Sequence, residues 1–121
     1  MNNENNKNSE IGKIVWVLII GSVYSYEITE RFFVGGEVYY TLVPSEPCPY
    51  VDRRKITNKA YMFHDTKLSC INNAINYYYQ ELNRYKGDES NFGKMVREKA
   101  PKFIENLKRL KAEEEAKNVM V

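Results

Sequence analysis

Arginine and tyrosine are the residue types with the most chemistry to offer in this 121-residue chain, which holds ten tyrosines. Arg53 and Arg54 end a proline-rich stretch, Arg97 and Arg109 stand in helix-like sequence, and Tyr79 is the last of three consecutive tyrosines. A guanidinium grips phosphate through two parallel donors, and a phenol ring stacks on a base. Together they suit a small anionic nucleotide or a single-stranded nucleic acid. Arg53, Arg54, Tyr79, Arg97 and Arg109 are therefore the candidate ligand-binding residues, with Lys55, Arg84, Lys94 and Lys108 widening the basic set. The competing reading is a solvated helix exterior in which these cations pair with nearby glutamates.

Catalysis finds less support. His64 is the only histidine and Asp65 is its neighbour, but adjacent side chains rarely face each other, and no Ser or Cys is spaced as its nucleophile. One histidine without clustered carboxylates makes a zinc site improbable. Gly35-Gly36 lacks the following helix that a phosphate-binding loop requires, and reads as a turn. No catalytic residue, metal ligand or cofactor is expected, and the chain reads as a binder rather than an enzyme.

The elements that would position these residues are an antiparallel sheet and then helices, an α+β fold with about four to five strands. Residues 1–12 are rich in Asn, lack apolar periodicity and are expected to be disordered. Residues 13–121 are expected to form one domain, with the sheet over 13–63, a covering helix over 66–86 and a helical region over 90–118. Lys13–Ile20 is an apolar, β-branched run, and Gly21 marks a bulge or bend. Val23–Thr29 alternates as a half-buried strand, and Gly35-Gly36 joins Phe32–Val34 to Glu37–Val43 as a hairpin, the alternative being a bulge inside one long strand. Pro44, Pro47 and Pro49 prevent regular pairing until about Asp52, and Ile56–Phe63 returns to strand character.

Helical period begins at Thr66. Leu68, Ile71, Ile75, Tyr78, Leu82 and Tyr85 recur at steps of three and four on one face. Asp65 or Thr66 suits the N-cap and Gly87 the C-terminal cap. Tyr77 and Tyr79 must then flank that face, either exposed as a binding surface or covered by the later helices. Ser90 is a second N-cap, followed by Phe92, Val96 and Ala100. Pro101 predicts a kink or a break, because it lacks an amide donor and disfavours helical geometry at Ala100. Beyond it, Phe103, Ile104, Leu107 and Leu110 form a stripe that either caps the core or makes a dimer surface.

Net charge is +2, unevenly distributed. The first 47 residues are mildly acidic, whereas 48–67 and 84–111 are basic, which points to an anionic partner. Ile14–Ile20 is far shorter than the roughly 20 residues of a membrane helix, and Glu4 and Glu10 spoil a signal-peptide leader, so the cytoplasm is the expected location. Cys48 and Cys70 have neither metal nor redox spacing and read as free thiols in a reducing cytosol, with a structural disulfide as the alternative. The abundance of Asn, Lys, Tyr and Ile is that of a low-GC genome.

The order Val15-Trp16-Val17-Leu18, Tyr24-Ser25-Tyr26-Glu27, Phe63, Thr66-Lys67 and Ala74-Ile75 resembles a broad group of small phage and bacterial accessory proteins, many of which act in host takeover or anti-defence. In outline the chain is also similar to the Thoeris anti-defence one family, phage sponges for cyclic ADP-ribose signals. That resemblance implies a sheet, a central helix, a dimerising C-terminal helix and ligand capture through arginines and an aromatic. It aligns no motif residue by residue, so no site is carried over. The leading expectation is a homo-oligomeric protein that sequesters a small anionic nucleotide signal. The alternatives are a protein-binding inhibitor of a host enzyme and a nucleic-acid-binding accessory.

Overall fold

The computed structural model describes residues 10–47, 55–57 and 63–119. Three strands form a meander: β1 (Ile14–Ile19), β2 (Ser22–Val34) and β3 (Glu37–Pro44). A three-residue β4 (Lys55–Thr57) pairs antiparallel with Tyr40–Leu42, giving the sheet order β1-β2-β3-β4. Two helices follow, α1 (Lys67–Arg84) and α2 (Asn91–Val119).

The α+β class holds, with fewer full strands among the described residues than the four to five expected. Val23–Thr29 and Phe32–Val34 are one strand, because no Gly or Pro interrupts Glu30-Arg31. The disruption is absorbed as a register shift between Ile28 and Glu30. Of the expected strand 56–63, residues 58–62 lie outside the described residues; Ile56 and Thr57 belong to β4, and the adjoining His64 forms an isolated antiparallel bridge with Trp16, their amides and carbonyls exchanging hydrogen bonds of 2.8 and 2.9 Å. The backbone of His64 is thus held by that of Trp16 in β1. Within the segment expected to be disordered, 1–9 lie outside the described residues, while Glu10–Gly12 form a turn whose Gly12 amide donates to the Ile28 carbonyl at 2.8 Å.

The chain divides into two compact units. The first contains residues up to Val17 with Tyr24–Lys67. Its buried residues include Val15, Val17, Tyr26, Ile28, Tyr40, Leu42 and Phe63, the inward set that period-two alternation selects. Tyr40 meets the Phe63 ring edge-on at 5.2 Å, and Arg31 Nε lies 3.2 Å from the Glu10 carboxylate. Gly35 and Gly36 both have positive φ and close the β2–β3 hairpin as a two-residue primed turn, as the glycine pair predicts.

The second unit contains Leu18–Val23 and the chain from Leu68 onward. Cys70, Ile71 and Ala74 are the buried residues of α1; Val96, Ala100, Ile104 and Leu107 are those of α2. The helices run antiparallel, since Tyr85 meets Phe92 at 5.1 Å while Tyr78 meets Phe103 at 5.2 Å. Ile104 and Leu107 of the C-terminal stripe are buried and so contribute to the core of this unit, while Phe103 and Leu110 are half-buried. α2 is continuous through Pro101, and the expected break is absent. A proline inside a helix costs about 3 kcal/mol. Buried apolar residues on both sides of it, Val96 and Ala100 before and Ile104 and Leu107 after, keep one helical face intact and offset that cost. No described helix is long and apolar enough to cross a membrane.

The β1–β2 turn inserts its tip between side chains of the two helices. The Gly21 amide donates to the Tyr78 hydroxyl at 3.1 Å, and Asn106 Nδ2 donates to the Gly21 carbonyl at 3.0 Å. A Cβ on Gly21 would lie 2.3 Å from the Phe103 ring. Gly21 is therefore not a bulge but the second residue of a primed turn, with φ 75° after Ile20 at 43°. Ile20 is 57% exposed, and a β-branched residue is strained in this left-handed conformation. Replacing Ile20 with Asn, which tolerates positive φ, is expected to raise stability by about 1 kcal/mol. Gly21→Ala is expected to lower it. Urea unfolding of both variants checks the pair; destabilisation by Ile20→Asn would contradict the turn geometry.

Candidate functional site

An apolar groove of about 140 Å³ lies between α1 and α2. Tyr77, Tyr78 and Glu81 form one wall; Phe92, Met95, Val96, Lys99, Ala100 and Phe103 form the other. Spacing explains the arrangement. Residues 77, 78 and 81 share a flank of α1, and 92, 95, 96, 99, 100 and 103 follow the three–four period along α2. Tyr77, Phe92 and Met95 are 48%, 53% and 41% exposed, so apolar surface at the groove mouth is open to solvent. Burial raises the Tyr78 pKa, and the bond accepted from the Gly21 amide partly opposes that rise. Tyr78 stays a neutral phenol on the groove wall.

The closed end of the helical hairpin is built from polar contacts. The Ser90 hydroxyl accepts from the Gly93 amide at 3.1 Å, as an N-cap should. The Ser90 amide donates to the Asp88 carboxylate at 2.7 Å. Hydrogen bonds from the Ser90 hydroxyl and amide hold the Asp88 pKa below its ordinary value. Gly87 has no positive φ, so it is not the left-handed cap expected from the sequence. Arg97 caps this end in its place, its guanidinium donating to the carbonyls of Tyr85 and Asp88 at 2.5 and 2.6 Å.

The Arg97 guanidinium is thus engaged by the turn. Arg109 lies on exposed α2, pairing with Glu113 at 2.8 Å and donating to Asn106 Oδ1 at 2.6 Å. Tyr79 is 46% exposed, with Lys108 Nζ 5.4 Å from its ring centre. Arg97 and Arg109 are twelve residues apart on one helix, about 18 Å along its axis. The structure does not bring them together. Arg53 and Arg54 lie outside the described residues, as does Cys48. Cys70 is buried, its thiol pushed up to about 12 by desolvation, which makes it chemically quiet. Among the described residues no cluster of His, Cys, Asp or Glu could hold a metal.

Helical period singles out Tyr77 as a flanking residue but passes over Met95 and Lys99. It selects Phe92, Val96 and Ala100 as one stripe of α2. Met95 and Lys99 occupy the adjoining positions, and their approach to Tyr77 and Glu81 depends on helix pairing that period alone does not encode.

Two expectations test the closed end. Arg97→Met should cost about 2 kcal/mol, as expected for hydrogen bonds from a charged donor. For Asp88, the folded pKa lies below the unfolded one, so its contribution is present above the ordinary aspartate range and disappears as pH falls through the folded value. Wild type and Asp88→Ala should therefore converge in stability on acidification, in unfolding curves measured from neutral to acid pH. A difference that persists in acid would place the effect elsewhere. Comparison with protein-family models, curated proteins and solved structures finds no match.

Proposed function

We propose that this chain is a non-enzymatic protein-binding factor whose working surface is the groove between α1 and α2. One observation carries the reading: Tyr77, Phe92 and Met95 stand exposed around a concavity whose walls are mostly apolar. Surface of this kind gains free energy by covering apolar area, and large aromatic or Met side chains are typical anchors of protein interfaces. Association with another protein surface through this groove is the functional class that fits best.

Capture of a small anionic nucleotide is the second reading. The observation favouring it is the Lys108 ammonium beside the Tyr79 ring, a cation and a stacking face at one exposed place. Against it, the two described candidate arginines are engaged elsewhere, Arg97 with backbone carbonyls and Arg109 with Glu113.

The two readings separate experimentally. Met95→Glu places a charge at the groove mouth and should abolish partner recovery in affinity pull-downs while leaving the helical circular dichroism unchanged. Thermal-shift measurements with cyclic ADP-ribose isomers and cyclic dinucleotides should show no stabilisation. A shift lost on Tyr79→Ala would overturn protein binding in favour of nucleotide capture.

A further inference from the structure

We propose that the occupant of this groove is a second copy of the chain, seated about a two-fold axis that runs along the groove. The proposal rests on the protein-binding reading and names its partner. It starts from the charges among the apolar walls. Glu81, on the α1 wall, has a side chain only 15% exposed, and its nearest cation is Arg84 at a loose 3.6 Å. Lys99, on the α2 wall, makes no ion pair among the described residues. The groove therefore carries one under-compensated acid and one unpaired base on opposite sides, at similar heights along antiparallel helices.

A two-fold axis along the groove turns that arrangement into complementarity. It lays α1 of each copy over α2 of the other, so each Lys99 faces the partner's Glu81 and each Glu81 faces the partner's Lys99. Every helix then has antiparallel neighbours, the arrangement of an up-and-down four-helix bundle. Tyr77, Phe92 and Met95 pass from solvent into the centre of the interface, with two charge pairs beside them. An axis across the groove instead would set Glu81 against its own copy and Lys99 against its own copy. Like charges facing each other destabilise an interface, so the walls choose between these two arrangements.

Sedimentation equilibrium of the full chain, with charge variants at Glu81 and Lys99, tests the proposal. The wild type should be a dimer at micromolar concentration. Lys99→Glu should weaken dimerisation by about tenfold or more, since it sets two acids face to face. Glu81→Lys should do the same by facing two bases. The double variant Glu81→Lys with Lys99→Glu restores opposite charges across the axis, and its dissociation constant should return to within about threefold of the wild type. Circular dichroism of each variant confirms that loss of association is not loss of fold.

A wild type that stays monomeric at hundreds of micromolar overturns the proposal, as does a double variant no tighter than the singles. Neither result touches the protein-binding reading if Met95→Glu still abolishes recovery of a different protein, which would then be the groove's occupant. If Met95→Glu alters neither dimerisation nor recovery, both fail together.

Discussion

One guanidinium fixes the helical hairpin. The turn after α1 leaves carbonyls without helical donors, and Arg97 reaches back from the second turn of α2 to take two of them. A side chain thereby does what a left-handed glycine does at many helix ends. It also sets the separation at which the helices leave the turn, and that separation decides whether Phe92 reaches Tyr85 and whether Met95 and Lys99 stand opposite Tyr77 and Glu81. Gly93 belongs to the same constraint: a Cβ there would lie 2.6 Å from Asp88 Cβ, so the turn packs against α2 where no side chain intervenes.

The far part of the same unit is held differently. The β1–β2 turn is bound through its backbone, amide to Tyr78 and carbonyl to Asn106, so only its path and the missing Cβ of Gly21 matter to the helices. Ile20 is left outside in a conformation that disfavours it. A strained, exposed branched residue beside a well-satisfied glycine shows local preference yielding to tertiary hydrogen bonding.

Fold class and helix positions were legible in the sequence because they rest on short-range pattern. The period from Leu68 to Tyr85 and the Gly35-Gly36 turn needed no knowledge of distant residues. The Ser90 cap likewise depends only on its neighbours. Strand number was less legible, because a bulge at Thr29 can join two apparent strands without Gly or Pro. Continuity through Pro101 was hidden too, since it depends on burial on both sides of the proline. The candidate site was the least legible. Charge and aromatic content singled out Arg97 and Arg109, but composition does not say whether a cation is already occupied. Arg97 is needed by its own turn, and Arg109 by its own helix.

α2 has 29 residues against 18 in α1, so its final turns run past the first residue of its antiparallel neighbour. At the start of that overhang and along it, Arg109 with Glu113 and Lys117 with Glu114 are ion pairs on the surface of one helix. Such pairs contribute about 0.3–0.5 kcal/mol each in dilute buffer and fade as the Debye length shrinks. The firmness of these last turns is therefore partly a property of the medium, greatest at low ionic strength and reduced in concentrated electrolyte.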